Sequence, residues 1–188
     1  ILPSRVIDRP MRPLFPKDYR NDVTLNNMVM SVDENCRPEL LAMIGSAIAT
    51  SISDIPFDGP CATTQIGMID GEFIVNPSQA QWQDGDLQLT VASTKQKVIM
   101  IEAGANEIPE DKMIEAIYKA HDINQTIIAF IDKIVAEVGK EKHSYVSCAV
   151  PAEMFEAMKQ VVSPEEMEVA VFTDDKQTRE KNIDAVTE

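Results

Sequence analysis

Short runs in which apolar residues alternate with polar ones, or in which β-branched residues cluster, are frequent in the first hundred positions and predict β-strands. These runs lie at residues 23–32, 61–69, 72–75, 87–93 and 97–102. Asp70-Gly71 has the sequence of a tight two-residue turn, and Thr94–Gln96 separates a second pair of runs. The pattern predicts two β-hairpins preceded by a separate strand, with residues 76–86 as a polar and irregular connection.

Two longer segments have the spacing of helices. Residues 38–53 begin at a proline and are apolar nearly all round, which predicts a helix that is buried rather than amphipathic. A second helix is expected to begin at Pro109 and to end near Gly139. Its predicted buried face consists of Ile114, Ile117, Tyr118, His121, Ile127, Ile128, Ile131, Ile134 and Val135.

Beyond residue 139 the strand pattern is lost and helical signals return. Short helices are expected at about 151–162, 164–172 and 174–186, the second of them capped by Ser163. The sequence therefore predicts an α+β region over residues 1–139, a linker over 140–150, and an all-helical segment over 151–188.

The composition is that of an ordinary globular protein, with 188 residues of which 44% are hydrophobic. Three cysteines without paired spacing exclude a disulfide scaffold and a structural zinc site. No apolar run approaches the length of about 20 residues that a membrane span needs, so we expect no membrane partner. Because the chain opens with Ile-Leu-Pro and not with Met, we expect it to be a piece of a longer protein.

The charge is strongly acidic overall but uneven along the chain. Seventeen basic and 31 acidic residues give a net charge of −14. Residues 1–20 hold five basic and two acidic groups, a net of +3, whereas residues 21–101 carry 3 − 10 = −7 and residues 102–188 carry 9 − 19 = −10. An anionic partner such as nucleic acid is therefore expected at the first twenty residues and repelled elsewhere.

Residue sets for catalysis are nearly absent from the sequence. His121 and His143 are interpreted as a boundary and a solvated histidine, and Cys36, Cys61 and Cys148 as reduced thiols. An acidic group that could suggest magnesium is better explained by turns; it comprises Asp70, Glu72, Asp84 and Asp86. We therefore predict no catalytic residue and no metal site.

Arg5, Arg9 and Arg12 form the motif that carries most information. Four prolines restrict residues 1–20 to at most a short helical turn around Ser4–Arg9, with Ser4 as N-cap, and such a turn would place Arg5 and Arg9 on one face. Guanidinium groups bind phosphate oxygens in a bidentate manner, so the three arginines are predicted to clamp the backbone of a single nucleic-acid strand. The alternative is that they pair with acidic residues elsewhere.

The segments 4–16, 52–60 and 98–104 resemble polynucleotide phosphorylases (polyribonucleotide nucleotidyltransferases), and the likeness covers nearly the whole chain. The resemblance implies an α+β, ribonuclease PH-like fold (ribosomal protein S5 domain 2-like), here as the later part of the first core followed by the start of the helical domain. It implies a Mg²⁺-dependent enzyme that shortens single-stranded RNA from its 3′ end with inorganic phosphate. It further implies a cytoplasmic homotrimer and a possible RNA-degradation complex.

The same resemblance marks what this segment lacks. In the family, the second core binds phosphate through a serine run and holds a metal through two aspartates six residues apart. The serine run falls here on Arg37, Pro38 and Glu39, and the aspartates fall on Trp82 and Gln88. The segment is therefore expected to guide RNA and support ring assembly while being catalytically silent alone. The alternative is a scaffold or interaction module without RNA binding, which the acidic balance favours.

Overall fold

Four antiparallel strands form one sheet in the order β2–β1–β3–β4. The strands are β1 (Ala62–Ile69), β2 (Glu72–Val75), β3 (Leu87–Ser93) and β4 (Val98–Ala105). The computed structural model that gives this sheet describes residues 2–33 and 35–187. Asp70 and Gly71 both have positive φ, 52° and 80°, and form a two-residue turn of the kind that glycine favours. The antiparallel pairs β1–β2 and β3–β4 confirm both predicted hairpins.

Helices cover the sheet and complete the first of two compact units, Ile1–Val146. They are α1 (Leu2–Met11), a 3₁₀ turn (Arg12–Leu14), α2 (Pro38–Ile52), α3 (Gln79–Asp84) and α4 (Glu110–Val138). Helix α4 packs against β1 and β3, and its second half meets α1 and α2 in a further apolar cluster around Met11, Met43 and Ile131. The mixture of an antiparallel sheet with packed helices confirms the predicted α+β class.

The buried face of α4 agrees with the predicted one at Ile128 and Ile131, and Ala116, Ala120 and Asn124 complete it. The prediction is wrong for Ile114 and Tyr118, which are 53% and 66% exposed. Asn124 is buried there, accepting a hydrogen bond from Thr64 Oγ1 (2.8 Å) and donating to the Val91 carbonyl (3.1 Å).

The strand predicted at residues 23–32 is wrong, because this segment forms neither a strand nor a helix. A strand needs backbone hydrogen bonds to a neighbour, and β-propensity alone does not supply one. Met28 and Met30 are consequently 75% and 85% exposed. One side-chain contact, from Ser46 Oγ to Asn27 Oδ1 at 3.1 Å, ties the segment to α2.

Three other local predictions also require correction. Helix α1 is longer than the predicted turn and includes Pro10, and Ser4 lies inside it instead of capping it. The connection predicted as irregular contains α3, which Ser78 and Gln81 begin with reciprocal hydrogen bonds. Helix α2 is not buried on every side, since Leu41 is 61% exposed.

The second compact unit, Ser147–Glu188, is helical throughout its regular structure. It contains α5 (Ala152–Val161), α6 (Pro164–Val171) and α7 (Lys176–Thr187), which confirms the three predicted helices. Ser163 caps α6 as predicted, accepting from the Glu166 amide while Glu166 accepts from the Ser163 amide. Among the described helices of the whole chain, none is both long enough and apolar enough to cross a membrane.

Candidate nucleic-acid interface

Helix α1 presents its arginines to solvent because its other side is anchored in the core. Ile7 and Met11 pack with Met43 and Ile131, and Met11 is only 1% exposed. Arg5 and Arg9 are one helical turn apart, as expected from their spacing, and both are exposed. Arg12 begins the 3₁₀ turn and is exposed as well.

Two of the three arginines have acidic partners. Arg12 binds Asp8 through two hydrogen bonds, from Nη2 to Oδ1 at 2.6 Å and from Nε to Oδ2 at 3.2 Å. Arg9 Nη1 lies 3.5 Å from Glu102 Oε2 on β4, and both side chains are about half exposed. Among the described residues, Arg5 has neither a side-chain hydrogen bond nor an ion pair. Exposed pairs of this kind contribute about 0–1 kcal/mol, so a phosphate can compete with the carboxylates for these guanidinium groups.

A groove of about 740 Å³ lies between α1, the 3₁₀ turn and the chain that follows. Its basic and aromatic lining residues are Arg12, Phe15, Lys17, Tyr19 and Arg20, and its acidic ones are Asp8 and Asp22. Arg5 and Arg9 do not line it. The structure thus separates the three predicted arginines into one at the groove and two on the neighbouring face of α1.

Sequence reasoning missed Lys17 and Arg20 as members of the groove. Both residues contribute to the positive charge of residues 1–20, which was a signal that could have found them. Their position at the groove depends on a turn that the spacing of the basic residues does not predict. In that turn Arg20 Nη1 donates to the Lys17 carbonyl at 2.6 Å, and the Tyr19 amide donates to the Pro16 carbonyl at 3.1 Å.

A separate cluster brings together the positions that the resemblance assigns to phosphate and metal. Arg37 Nη2 lies 2.5 Å from Glu39 Oε1, and its guanidinium carbon lies 4.5 Å from the centroid of the Trp82 ring. Gln88 Nε2 donates to the Trp82 carbonyl at 2.7 Å. Arg37 Nη1 is buried and has no hydrogen-bond partner. A cationic side chain stacked on an indole does not fit a divalent cation, which requires converging oxygen ligands.

The remaining ionisable groups of the described residues form no cluster of metal-ligand type. Over residues 2–33 and 35–187, no three His, Cys, Asp or Glu side chains converge as metal ligands. His121 contacts Gln125, and His143 contacts Tyr19. Burial raises the pKa of the Cys61 thiol to about 12, so this sulfur stays protonated and unreactive at neutral pH.

Comparison with known proteins agrees with this architecture. Residues 59–123, from the end of the α2–β1 connection into α4, match the 3′ exoribonuclease family, domain 2, which is the C-terminal domain of RNase PH. A crystal structure of rice (Oryza sativa) Rrp46 superposes with a TM-score of 0.47 at 17% sequence identity, covering 54% of this chain and 48% of that one. On the family match, residues 59–123 carry an RNase PH-like domain.

Two curated relatives are similar to the chain over almost its whole length. The chain is 73% identical over 183 residues to the polyribonucleotide nucleotidyltransferase of Lachnoclostridium phytofermentans, which covers 97% of the chain and 26% of that protein. It is 50% identical over 188 residues to the enzyme of the same name from Ruminiclostridium cellulolyticum, covering 27% of it. The chain thus corresponds to a segment of polyribonucleotide nucleotidyltransferases and spans about a quarter of the length of these relatives.

Proposed function

We propose that this chain is the RNA-guiding part of a phosphate-dependent 3′-to-5′ exoribonuclease. The observation that carries the proposal is the 73% identity, over almost the whole chain, to a polyribonucleotide nucleotidyltransferase. Such an enzyme releases nucleoside diphosphates from single-stranded RNA with inorganic phosphate and can run in the reverse direction as a polymerase. The Mg²⁺ that it uses binds elsewhere in the longer protein, which acts in the cytoplasm as a homotrimer and possible member of an RNA-degradation complex.

The proposed RNA contacts are Arg5, Arg9 and Arg12, with Lys17 and Arg20 extending the positive surface along the groove. Their exposure and weak acidic partners support this role, because a phosphate oxygen can replace a surface carboxylate at little energetic cost. Guanidinium groups hold the sugar-phosphate backbone by paired hydrogen bonds without reading the bases. The acidic remainder of the chain repels RNA and confines it to this face.

The same chain contributes no phosphorolysis of its own in this proposal. The Arg37–Glu39 pair and the Trp82 ring occupy sequence positions that the resemblance assigns to phosphate and metal binding. Glu39 would repel phosphate, and Trp82 offers no carboxylate. We expect the purified chain to release no nucleoside diphosphate from poly(A) with phosphate and magnesium, and measurable release would overturn this part of the proposal.

The arginine role is tested in the full-length protein. Changing Arg5, Arg9 and Arg12 together to alanine should weaken poly(A) binding and make its dependence on salt concentration shallower, by about one phosphate contact for each lost cation. A matched control removes three exposed positive charges that lie far along the chain, at Lys112, Lys133 and Lys181. An unchanged salt slope in the arginine variant would show that these side chains serve structure alone.

The net charge of −14 favours a second candidate, a scaffold or interaction module that never contacts RNA. This candidate predicts that the arginine and lysine variants behave alike in RNA binding. It also predicts that assembly of the full-length protein, measured by light scattering, changes in the arginine variant while its RNA affinity does not.

A further inference from the structure

After α4 ends, the chain turns back across the C-terminal end of α2 instead of leaving the domain. The Lys140 amide donates to the Ile52 carbonyl at 3.0 Å, and the His143 amide donates to the Asp54 carbonyl at 2.7 Å. We call residues 140–145 the strap. These two backbone bonds join positions about ninety residues apart in sequence, so the path of the strap is set by contacts and not by local preference.

Lys142 fastens the strap at its centre. Its ammonium group donates to three backbone carbonyls, those of Thr50 (3.2 Å), Ser51 (2.9 Å) and Ser53 (2.7 Å). An ammonium group has three donors, and the last carbonyls of a helix lack partners within the helix, so donors and acceptors match in number and in charge. Partial burial lowers the pKa of Lys142, which marks an amine taken out of water to make these bonds.

The far end of the strap holds one wall of the groove. Tyr145 Oη donates to Asp18 Oδ1 at 2.8 Å, a bond that raises the pKa of the Tyr145 hydroxyl. The Tyr19 ring meets the Tyr145 ring edge-on at 5.0 Å between centroids, and its hydroxyl lies 3.3 Å from His143 Nε2. Tyr19 also lines the groove beside Arg20 and Lys17. A continuous series of contacts thus runs from the end of α2, through the strap, to the groove.

We propose that Lys142 is a positioning residue for the groove: by fixing the strap to the C-terminal end of α2, it keeps Tyr19, which lines the groove, in place through the Tyr145–Asp18 bond and the Tyr19–Tyr145 ring contact. Lys142 itself touches no groove residue through any described hydrogen bond. Its effect on RNA rests on the proposed function, whereas its effect on the strap and on Tyr19 does not.

The test uses amide hydrogen exchange in the full-length protein, because three amides report on the series directly: Lys140, His143 and, at the groove, Tyr19. Lys142→Met should speed exchange at all three by about tenfold or more, since charge-assisted hydrogen bonds are lost. Lys140→Met is the matched control, as it removes a neighbouring charge whose side chain makes no described hydrogen bond or ion pair. It should leave the three rates unchanged.

Unchanged exchange at Lys140 and His143 in the Lys142→Met variant would overturn the role of Lys142 as an anchor. Faster exchange there with an unchanged Tyr19 amide would overturn the positioning of the groove. Should Lys142→Met prevent folding, Tyr145→Phe removes only the hydroxyl bonded to Asp18 and is expected to speed exchange at Tyr19 alone.

RNA binding separates this inference from the proposed function. With both correct, Lys142→Met weakens poly(A) binding about threefold or more without changing its salt slope, since no phosphate contact is removed. If Tyr19 exchange responds to Lys142→Met while the arginine variant binds RNA normally, the proposed function fails and the strap inference stands. If the arginine variant loses binding and Tyr19 exchange does not respond, the strap inference fails alone.

Discussion

The guanidinium carbon of Arg37 lies 4.5 Å from the centroid of the Trp82 ring, and the same guanidinium pairs with Glu39. Arg37 precedes the first turn of α2, whereas Trp82 belongs to α3, so the contact joins two helices that are otherwise separated by two strands in sequence. Because Trp82 is the one tryptophan of the sequence, its fluorescence reports on this contact.

Arg37→Ala should therefore shift the Trp82 emission to longer wavelength and lower the free energy of unfolding by about 1–2 kcal/mol. The physical reason is the loss of the cation from the ring face, together with a Glu39 carboxylate left mostly buried without its partner. Lys119→Ala is the control, since it removes a cation that lies 5.5 Å from another ring, Phe73. An Arg37→Ala spectrum that matches the unmodified chain would contradict the stacking.

Asn124 offers a test of the α4–sheet contact. Asn124→Leu should lower the free energy of unfolding by about 2–4 kcal/mol, because the Val91 carbonyl and the hydroxyls of Thr64 and Ser93 lose their buried partner. Chemical denaturation measures the change. Asp122→Leu, at an exposed position of the same helix, should stay within about 0.5 kcal/mol. Equal effects of the two substitutions would show that the Asn124 network contributes no stability.

Two glycines make a matched pair for a steric prediction. A Cβ atom at Gly85 would lie 2.8 Å from the Gln81 carbonyl oxygen and 2.9 Å from that of Met68, so Gly85→Ala should destabilise the chain by about 1–3 kcal/mol. A Cβ at Gly45, inside α2, meets nothing within 4 Å. Gly45→Ala should instead stabilise the chain by about 0.5–1 kcal/mol, because alanine favours helix. Thermal unfolding that ranks the two variants in the opposite order would refute the close approach at Gly85.

Acid should weaken the caps of the second unit, which are the Ser163–Glu166 hydrogen bonds at the start of α6 and the Asp175–Thr178 hydrogen bonds at the start of α7. Hydrogen bonds from Ser163 lower the pKa of Glu166 from its ordinary value of 4.5, and bonds from Thr178 lower that of Asp175 from 3.8. A depressed carboxyl pKa in the folded chain means that the stabilisation is present above the ordinary value and is lost as pH falls through the folded value. The caps should therefore hold at pH 5 and weaken progressively below about pH 4.5 for Glu166 and below about 3.8 for Asp175.

Nuclear magnetic resonance of the Glu166 amide, which donates to Ser163 Oγ, follows the first cap. In Glu166→Gln the amide shift should lose its step below pH 4.5, because glutamine can replace the carboxylate as acceptor but does not titrate. Glu165→Gln is the control, since its carboxylate makes no described hydrogen bond and the step should persist. A step that survives in Glu166→Gln would assign the titration to another group.

Local signals in the sequence were sufficient for most of the fold. The Asp70-Gly71 turn, the proline that begins α2 and the serine that caps α6 act over a few residues, so spacing alone located them. The strand at 23–32 failed for the opposite reason, because a ladder depends on a partner that local sequence does not contain. On α4 the apolar pattern covers a broad face, so it did not show which side is buried. Packing against the sheet buries Ala116, Ala120 and Asn124.

The candidate site was predictable in composition but not in arrangement. The excess of positive charge in residues 1–20 identified the face, and the helical spacing placed Arg5 with Arg9. Arg12 lies at a groove with Lys17 and Arg20 because of the 3₁₀ turn. The sequence did not predict this turn, because four prolines in residues 1–20 indicated only a short helical turn. The strap was invisible to sequence reasoning, because Lys142 contacts carbonyls about ninety residues earlier in the chain and any backbone supplies carbonyls.

The exposed segment 23–32 also contains two methionines that oxidants can reach. Met28 and Met30 present their thioethers to solvent, whereas Met11 and Met43 are sealed in the core at 1% and 0% exposure. Peroxide would convert the outer pair to sulfoxides while the inner pair is still protected. Sulfoxide formation at these two methionines thus gives a chemical footprint of whether anything covers this stretch.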